Sequence, residues 1–248
     1  MNNIKIFFLP RQQMTRADFL DNTPRNSIAL DGMVSGGPYF HAATNHVNYD
    51  HHDKVVREAT MSTAMQVYYA IKGGMMTRFM NDPVDDNSVS VYVNDTDQDT
   101  ALAVWLLMNY KLFEGVQSIP SINRLLALND RLDITGGAFP MNLSDQLVHQ
   151  YTWIFEPYIN LRKSGVLATA TAEVLHDNLV ATMSRITKYM MGNGGESIPD
   201  TRHEILYDGH GFKIVDEIGG SAARTHLFSL GMKAFISLIA ARPDGQRI

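Results

Sequence analysis

Short apolar runs that stop at an acidic residue recur along the first hundred residues and alternate with stretches of helical period. Ser27-Ile-Ala-Leu runs into Asp31-Gly32, His46-Val-Asn-Tyr into Asp50, and Ser88 to Val93 into Asn94-Asp95, while Ile4 to Leu9 stops at Pro10. Each reads as a strand ended by turn chemistry. Between them, Val56, Ala59, Thr60, Thr63, Val67, Ala70 and Ile71 recur at helical spacing up to Gly73-Gly74, with Asp53 placed to cap the helix. Asp99 is placed to cap a second helix through Ala101, Val104, Trp105 and Met108, and 123–128, 143–161 and 167–191 carry further helical patterns. Strands alternating with helices predict an α/β fold: a doubly wound, mostly parallel sheet with flanking helices. The stretch from Gly36 to Asp50 lacks a period and is expected to be an irregular loop leading into a short strand.

The texture changes after Gly192-Asn-Gly-Gly195 and Pro199. Glu204-Ile-Leu-Tyr and Phe212-Lys-Ile-Val flank Asp208-Gly-His-Gly211 as a hairpin, 221–230 reads as a helix and 233–240 as a strand, and Pro243-Asp-Gly-Gln starts a turn. The expected division is an α/β domain over 1–195 and a small C-terminal α+β part over 196–248, possible in a chain of 248 residues. A further strand is expected where the chain stops at Ile248. Either the natural chain continues or a partner completes this sheet, which leaves room for a homodimer.

Composition narrows the chemistry. The chain has no cysteine, which excludes a disulfide scaffold, a thiolate metal centre and a cysteine nucleophile. Any metal must sit on His, Asp and Glu. The 26 acids divide into 19 Asp and 7 Glu, and four of nine histidines (His41, His46, His51, His52) fall within twelve residues. A net charge of −5 argues against an extended duplex nucleic acid as partner. No apolar run approaches the roughly 20 residues of a membrane span, and Met1-Asn-Asn-Ile-Lys lacks a signal-peptide pattern. The expected location is cytoplasmic.

Three constellations carry the candidate chemistry. Asn45 to Asp53 places the donors of Asp50, His51 and His52 together, which suits Mn²⁺, Mg²⁺ or Zn²⁺; the bland alternative is a solvated polar turn. Asp95, Asp97 and Asp99 alternate in a segment that, if extended, points all three carboxylates one way, where they repel unless a cation or proton joins them. An EF-hand is excluded, because its sixth position would be Thr100 and its twelfth Leu106. Otherwise the segment is a solvated turn and helix cap. The third is Asp130-Arg-Leu-Asp133-Ile-Thr-Gly136-Gly137-Ala-Phe139, an acid before a Gly-rich bend that lets backbone approach a ligand, as any tight turn would.

Asp50-His51-His52, the following helix from Arg57-Glu58-Ala59-Thr60, and Asp133-Ile-Thr-Gly-Gly-Ala-Phe139 together resemble the DHH phosphoesterase superfamily. The resemblance spans about residues 27 to 140 and is strongest at the Asp-His-His triplet. It implies a doubly wound α/β domain with a smaller C-terminal domain, and two Mn²⁺ or Mg²⁺ ions that hydrolyse phosphoester bonds in nucleotides, short oligonucleotides or polyphosphate. It also implies Asp31, Asp50, His51 and Asp133 as metal ligands and His52 as a contact to the scissile phosphate. The family's N-terminal Asp-x-Asp motif is not found before the signature here. Asp95, Asp97 and Asp99, which follow it, are this reading's own candidates for the missing acids. Either the site is built in a different chain order or it is degenerate.

With two ions supplying the activated water and the charge stabilisation, no general-base side chain is required. Lys54, Arg57, Arg131 and Arg224 are the candidate substrate-binding cations. Arg224 follows Gly219-Gly220-Ser221 at a helix start able to hold a phosphate, although Gly-Gly is equally a linker. His41 and His46 remain further candidates. The functional expectation is a metal-dependent phosphoester hydrolase acting on a small or short-chain phosphorylated substrate. The alternative is a non-catalytic DHH-like ligand-binding or assembly module with a degenerate metal site, and a mononuclear His/Asp hydrolase acting on a non-phosphorus bond is a third possibility.

Overall fold

The computed structural model describes residues 3–84, 88–210 and 212–238. The expected turn at Pro243 and the end of the expected last strand lie outside the described residues. In chain order the N-terminal part contains β1 (Ile4–Phe8), α1 (Arg16–Asn22), β2 (Ser27–Leu30), β3 (Tyr39–His41), β4 (His46–Tyr49), α2 (Thr63–Lys72), α3 (Met75–Met80) and β5 (Val89–Val93). Four helices follow: α4 (Gln98–Met108), α5 (Pro120–Ile134), α6 (Gln146–Lys163) and α7 (Ala172–Met190). The C-terminal part is β6 (Glu204–Asp208), β7 (Lys213–Asp216), α8 (Ser221–Ser229) and β8 (Phe235–Leu238). The fold is α/β as expected.

The main sheet has the order β1-β5-β2-β4-β3. Its first four strands run parallel, and β3 closes one edge antiparallel to β4. Every residue of β2 and β5 is buried, which their β-branched and small apolar composition permits and a central parallel strand requires. Because the strands are parallel, Leu30, Tyr49 and Val93 end at the same edge, and the acidic segments that follow them are delivered there.

The two faces of the sheet are covered unequally. On one side Ile28, Leu30, Val47, Val89, Val91 and Val93 join a large core with residues of α2, α4, α5, α6 and α7. On the other, Ala29 and Tyr92 form a small cluster with Phe19 of α1, Met33 and Val34, and Leu9, Met14 and Tyr39 pack against it. Helix α4 is buried continuously from Asp99 to Leu107, so it is enclosed rather than amphipathic. Its Trp105 donates its indole N–H to Thr187 Oγ1 of α7 at 2.9 Å.

Several local expectations differ from the fold. Tyr39–His41 lies within the stretch expected to be loop, because its three residues pair with 46–48 of β4. Asp53 does not cap a helix; it accepts the N–H of Gly36 at 2.7 Å, and Ser62 caps α2 instead. Asp97, not Asp99, is the N-cap of α4. The chain after Asp130 continues as helix to Ile134 before the glycine turn.

The second sheet has the order β6-β7-β8, with β6 antiparallel and β8 parallel to β7. It joins the main body at the turn after α5. Arg224 donates to the Gly136 carbonyl at 2.6 Å and Thr225 to the Gly137 carbonyl at 2.9 Å. Gly137, at φ +82, lies so close to α8 that a Cβ would come within 3.0 Å of the Ser221 carbonyl oxygen. No described helix is long and apolar enough to cross a membrane.

Candidate metal centre

Four segments meet beyond the C-terminal edge of β2, β4 and β5. Asp31 follows β2 in the left-handed region at φ 52, followed by Gly32 at φ 78, a backbone that Asp tolerates better than most residues. Its N–H donates to the Tyr49 carbonyl at 2.9 Å, fixing the carboxylate beside the end of β4. Its Oδ1 accepts from Thr63 Oγ1 at 2.9 Å, and its Oδ2 from Thr100 Oγ1 at 3.3 Å.

Asp50 folds the turn after β4 over itself. Its Oδ1 accepts the backbone N–H groups of His51 at 2.8 Å and His52 at 3.1 Å, and lies 3.0 Å from His52 Nδ1. The turn sends His51 inward, fully buried, and leaves the His52 side chain 40% exposed. His51 Nε2 lies 2.8 Å from Asp133 Oδ2, 3.4 Å from Asp31 Oδ1 and 3.8 Å from Asp99 Oδ2. His52 Nδ1 is also 3.4 Å from Asp31 Oδ1.

These approaches are not satisfied hydrogen bonds. Both ring nitrogens of His51, Asp133 Oδ2, Asp50 Oδ2 and Arg57 Nε are buried without a hydrogen-bond partner. The 2.8 Å contact between His51 and Asp133 is therefore short but out of line for a shared proton. Unpaired buried donors and acceptors cost on the order of 1–3 kcal/mol each. Unpaired carboxylate and imidazole acceptors lying close together are what a cation satisfies. Two sets of donor atoms are spaced to do so: Asp31, His51 and His52, and His51, Asp99 and Asp133. The buried Asp and His groups could thus hold a metal ion.

The electrostatics agree with a centre built for positive charge. Burial pushes the carboxyls of Asp97 and Asp99 well above the usual range, and surrounding carboxylates, Asp31 and Asp133 among them, push the same way. Burial also raises Asp95, against the N–H of Thr96 and the Tyr158 hydroxyl. For His51 burial lowers the pKa, but the Asp133 and Asp31 carboxylates outweigh it and raise the pKa to about 10. Burial would raise Asp31, but the His51 and His52 imidazoles hold it below its ordinary value.

The remaining candidates fall in different places. Asp97 caps α4 by accepting the Thr100 N–H at 2.9 Å. Asp95 accepts from the Thr96 N–H at 2.7 Å and the Tyr158 hydroxyl at 2.8 Å. Asp50 contributes through the turn it makes and belongs to neither donor set. Arg57 donates to the Asp133 carbonyl at 3.0 Å and stands 3.8 Å from its carboxylate. Lys54 is exposed nearby in the chain, and Arg131 is exposed with its guanidinium over the Phe139 ring at 5.1 Å. Arg224 is committed to Glu217 at 2.8 and 2.9 Å and to the Gly136 carbonyl. His41 and His46 face each other across β3 and β4 at the opposite end of the strand. His46 is buried there between Thr23 and Thr44.

Sequence reading missed the residues that hold the acids. Asp99 accepts the N–H groups of Thr63 at 2.5 Å and Ala64 at 3.0 Å, and the Asn129 amide at 2.7 Å. Asn129 in turn accepts from the Tyr151 hydroxyl at 3.0 Å. Asp130 accepts the Ser62 N–H at 2.7 Å, so acids from α4 and α5 satisfy the free amides at the start of α2. The sequence signal for this role is the polar Asn129-Asp130 pair directly after the apolar Leu125 to Leu128 run of α5.

Fold and site together define an α/β protein with a buried carboxylate and imidazole centre at the C-terminal edge of a parallel sheet. No protein-family model, curated protein or solved structure matches this chain.

Proposed function

We propose that the chain is a metal-dependent phosphoester hydrolase of DHH-like type, using Mn²⁺ or Mg²⁺ on a small or short-chain phosphorylated substrate. The observation that carries this reading is the convergence of Asp31, His51, Asp99 and Asp133 with unpaired buried donor atoms among them. The order of the acids along the chain does not bear against it, since acids before and after the Asp-His-His triplet reach the same edge of the sheet. That favours a site built in a different chain order over a degenerate one.

Divalent ions bound there supply Lewis-acid stabilisation and an activated water. The chain's own residues do the rest. His51 and Asp133 supply donor atoms 2.8 Å apart, and the Thr63 and Thr100 hydroxyls orient Asp31, a fixing of ligand direction that metal sites require. His52, half exposed and kept in place by Asp50, contacts the scissile phosphate. Arg57, with its Nε unpaired, turns its remaining donors to the phosphoryl oxygens.

The test is titration calorimetry with Mn²⁺ and turnover of a generic phosphodiester reporter. The wild-type protein binds and turns over, and His51→Ala and Asp133→Ala lose both. Unchanged turnover in those variants overturns the reading. The alternative is a non-catalytic module with a degenerate metal site, which the commitment of the Arg224 guanidinium to Glu217 favours; absence of both Mn²⁺ binding and phosphoester turnover would support it.

A further inference from the structure

Beside the metal centre, at the C-terminal ends of β1 and β5, lies a cavity of about 220 Å³ lined by Pro10, Arg11, Asn94, Asp95, Leu167, Ala170 and Leu175. It is smaller than the roughly 300–1,000 Å³ of sites for drug-sized ligands, which limits it to a single ring system. Its walls are mixed: Pro10, Leu167, Ala170 and Leu175 are apolar, and Arg11, Asn94 and Asp95 are polar.

The polar groups have a definite sense. The Asn94 amide spends its two N–H donors on the carbonyls of Gln12 at 2.8 Å and Gly32 at 3.2 Å, which leaves its Oδ1 as an acceptor. Each Asp95 oxygen accepts one bond within the protein, from Thr96 or Tyr158, and a carboxylate has further lone pairs to offer. Arg11 is fixed in the left-handed region at φ 59. One of its nitrogens bonds the Ala170 carbonyl at 2.8 Å, and a guanidinium has four more N–H donors. A ring seated here has the Asn94 and Asp95 acceptors, consecutive in the chain, and the cationic donor of Arg11 in its lining.

We propose that this cavity is a base-recognition subsite for guanine, its ring between the apolar walls, its N–H edge on Asp95 and Asn94 and its carbonyl toward Arg11. Guanine is the common base with two adjacent N–H donors beside a carbonyl. Adenine and cytosine put a ring acceptor against the same carboxylate, and uracil flanks its single N–H with two carbonyls. The Asn94 bond to Gly32, the neighbour of Asp31, ties the cavity to the metal centre. The substrate class is then a guanine nucleotide or a short oligonucleotide presenting guanine. This assignment rests on the phosphohydrolase reading for its substrate, but base binding itself needs neither metal nor turnover.

Calorimetry with guanosine, adenosine and uridine on the intact protein in a chelator tests it. Guanosine should bind at least about tenfold tighter than the other two, the discrimination expected from hydrogen bonds to a charged group. Leu167→Trp, which fills the cavity, should abolish binding, and Arg11→Gln should weaken it by about tenfold, with far-UV circular dichroism of each variant unchanged. Absence of guanosine binding, equal binding of the three nucleosides, or guanosine affinity unaffected by both substitutions overturns the proposal. Guanosine binding without hydrolysis of any phosphoester supports this subsite while removing the hydrolase reading. Phosphoester hydrolysis without guanosine binding does the reverse.

Discussion

The two ends of the parallel strands both bury polar groups, and they treat them in opposite ways. At the N-terminal end Asn45 donates to Asn26 at 2.9 Å and to Asp82 at 3.1 Å and accepts from Arg78 at 3.0 Å, and Arg25 closes on Asp82 at 2.9 Å. His46 bridges Thr23 and Thr44 through its two ring nitrogens. At the C-terminal end, one strand length away, the His51 nitrogens, Asp50 Oδ2 and Asp133 Oδ2 have no partner. The first cluster satisfies itself and holds strands together. The second leaves buried donors and acceptors unpaired, in groups that could hold a metal ion.

The sharpest way to break this contrast is to remove a donor at the unpaired end. His51→Ala should lower Mn²⁺ affinity by more than about 100-fold, beyond the range typical for outer-layer partners of metal ligands. It should also abolish the rise in stability on adding metal, about 2.7 kcal/mol at a hundred times Kd; thermal melts with and without Mn²⁺ read this directly. If the metal-dependent shift survives, the C-terminal end is not a metal centre.

The same comparison predicts the reverse pattern at the paired end. Asn45→Ala strands the partners of a buried amide at a left-handed position, φ 52. It should cost about 1–3 kcal/mol in urea unfolding, with Mn²⁺ affinity unchanged. A loss of metal binding there would show that the two ends are coupled rather than distinct.

Charge repulsion at the unpaired end gives a third outcome, of opposite sign. Asp97 has a folded pKa raised by burial and by Asp31, Asp95, Asp99 and Asp133. A carboxyl raised in this way makes the metal-free fold less stable as pH rises above the unfolded-state value near 3.9. Asp97→Asn, which keeps a good helix cap, should therefore stabilise the protein at pH 7 in chelator. The gain should fade as pH drops below that value. Unfolding curves at both pH values check the sign, and a loss of stability at pH 7 would count against repulsion.

A surface pair sets the smallest effect. Asp200 is held below the ordinary carboxylate range by Arg202, and by Lys163 at 2.7 Å, against the effect of burial. Its contribution is present above the unfolded pKa and is lost as pH falls through the folded one. Asp200→Ala should cost no more than about 1 kcal/mol at pH 7, and added salt should shrink the difference.

Much of the fold was legible. The β-branched runs at 4–8, 27–30, 46–49 and 89–93 are strands, the long helical periods are α6 and α7, and the hairpin at 204–216 forms. What escaped was local competition for hydrogen bonds. Asp53 lost the helix start to Ser62 because a loop amide claimed it, and Asp97 took the cap expected of Asp99, freeing Asp99 to reach across to α2. Such choices depend on which amide lies nearest in space. His41 and His46, close to the triplet in sequence, sit at the far end of their strand because a strand carries its two ends about 13 Å apart over four residues.

By itself the sequence determined that acids and imidazoles follow strand ends, because short apolar runs bounded by Asp and Gly can be little else. The alternation of strands and helices pointed to a mostly parallel sheet, while the parallel pairing of β2 with β4, which are joined through β3 and no helix, was decided by the tertiary structure. Only the tertiary structure decided that the segments after β2, β4 and β5 meet with the end of α5, and which of their atoms remain unpaired. Parallel strands align their ends whatever the order of the chain, so residues 31, 51, 99 and 133 converge although 102 positions separate the first from the last.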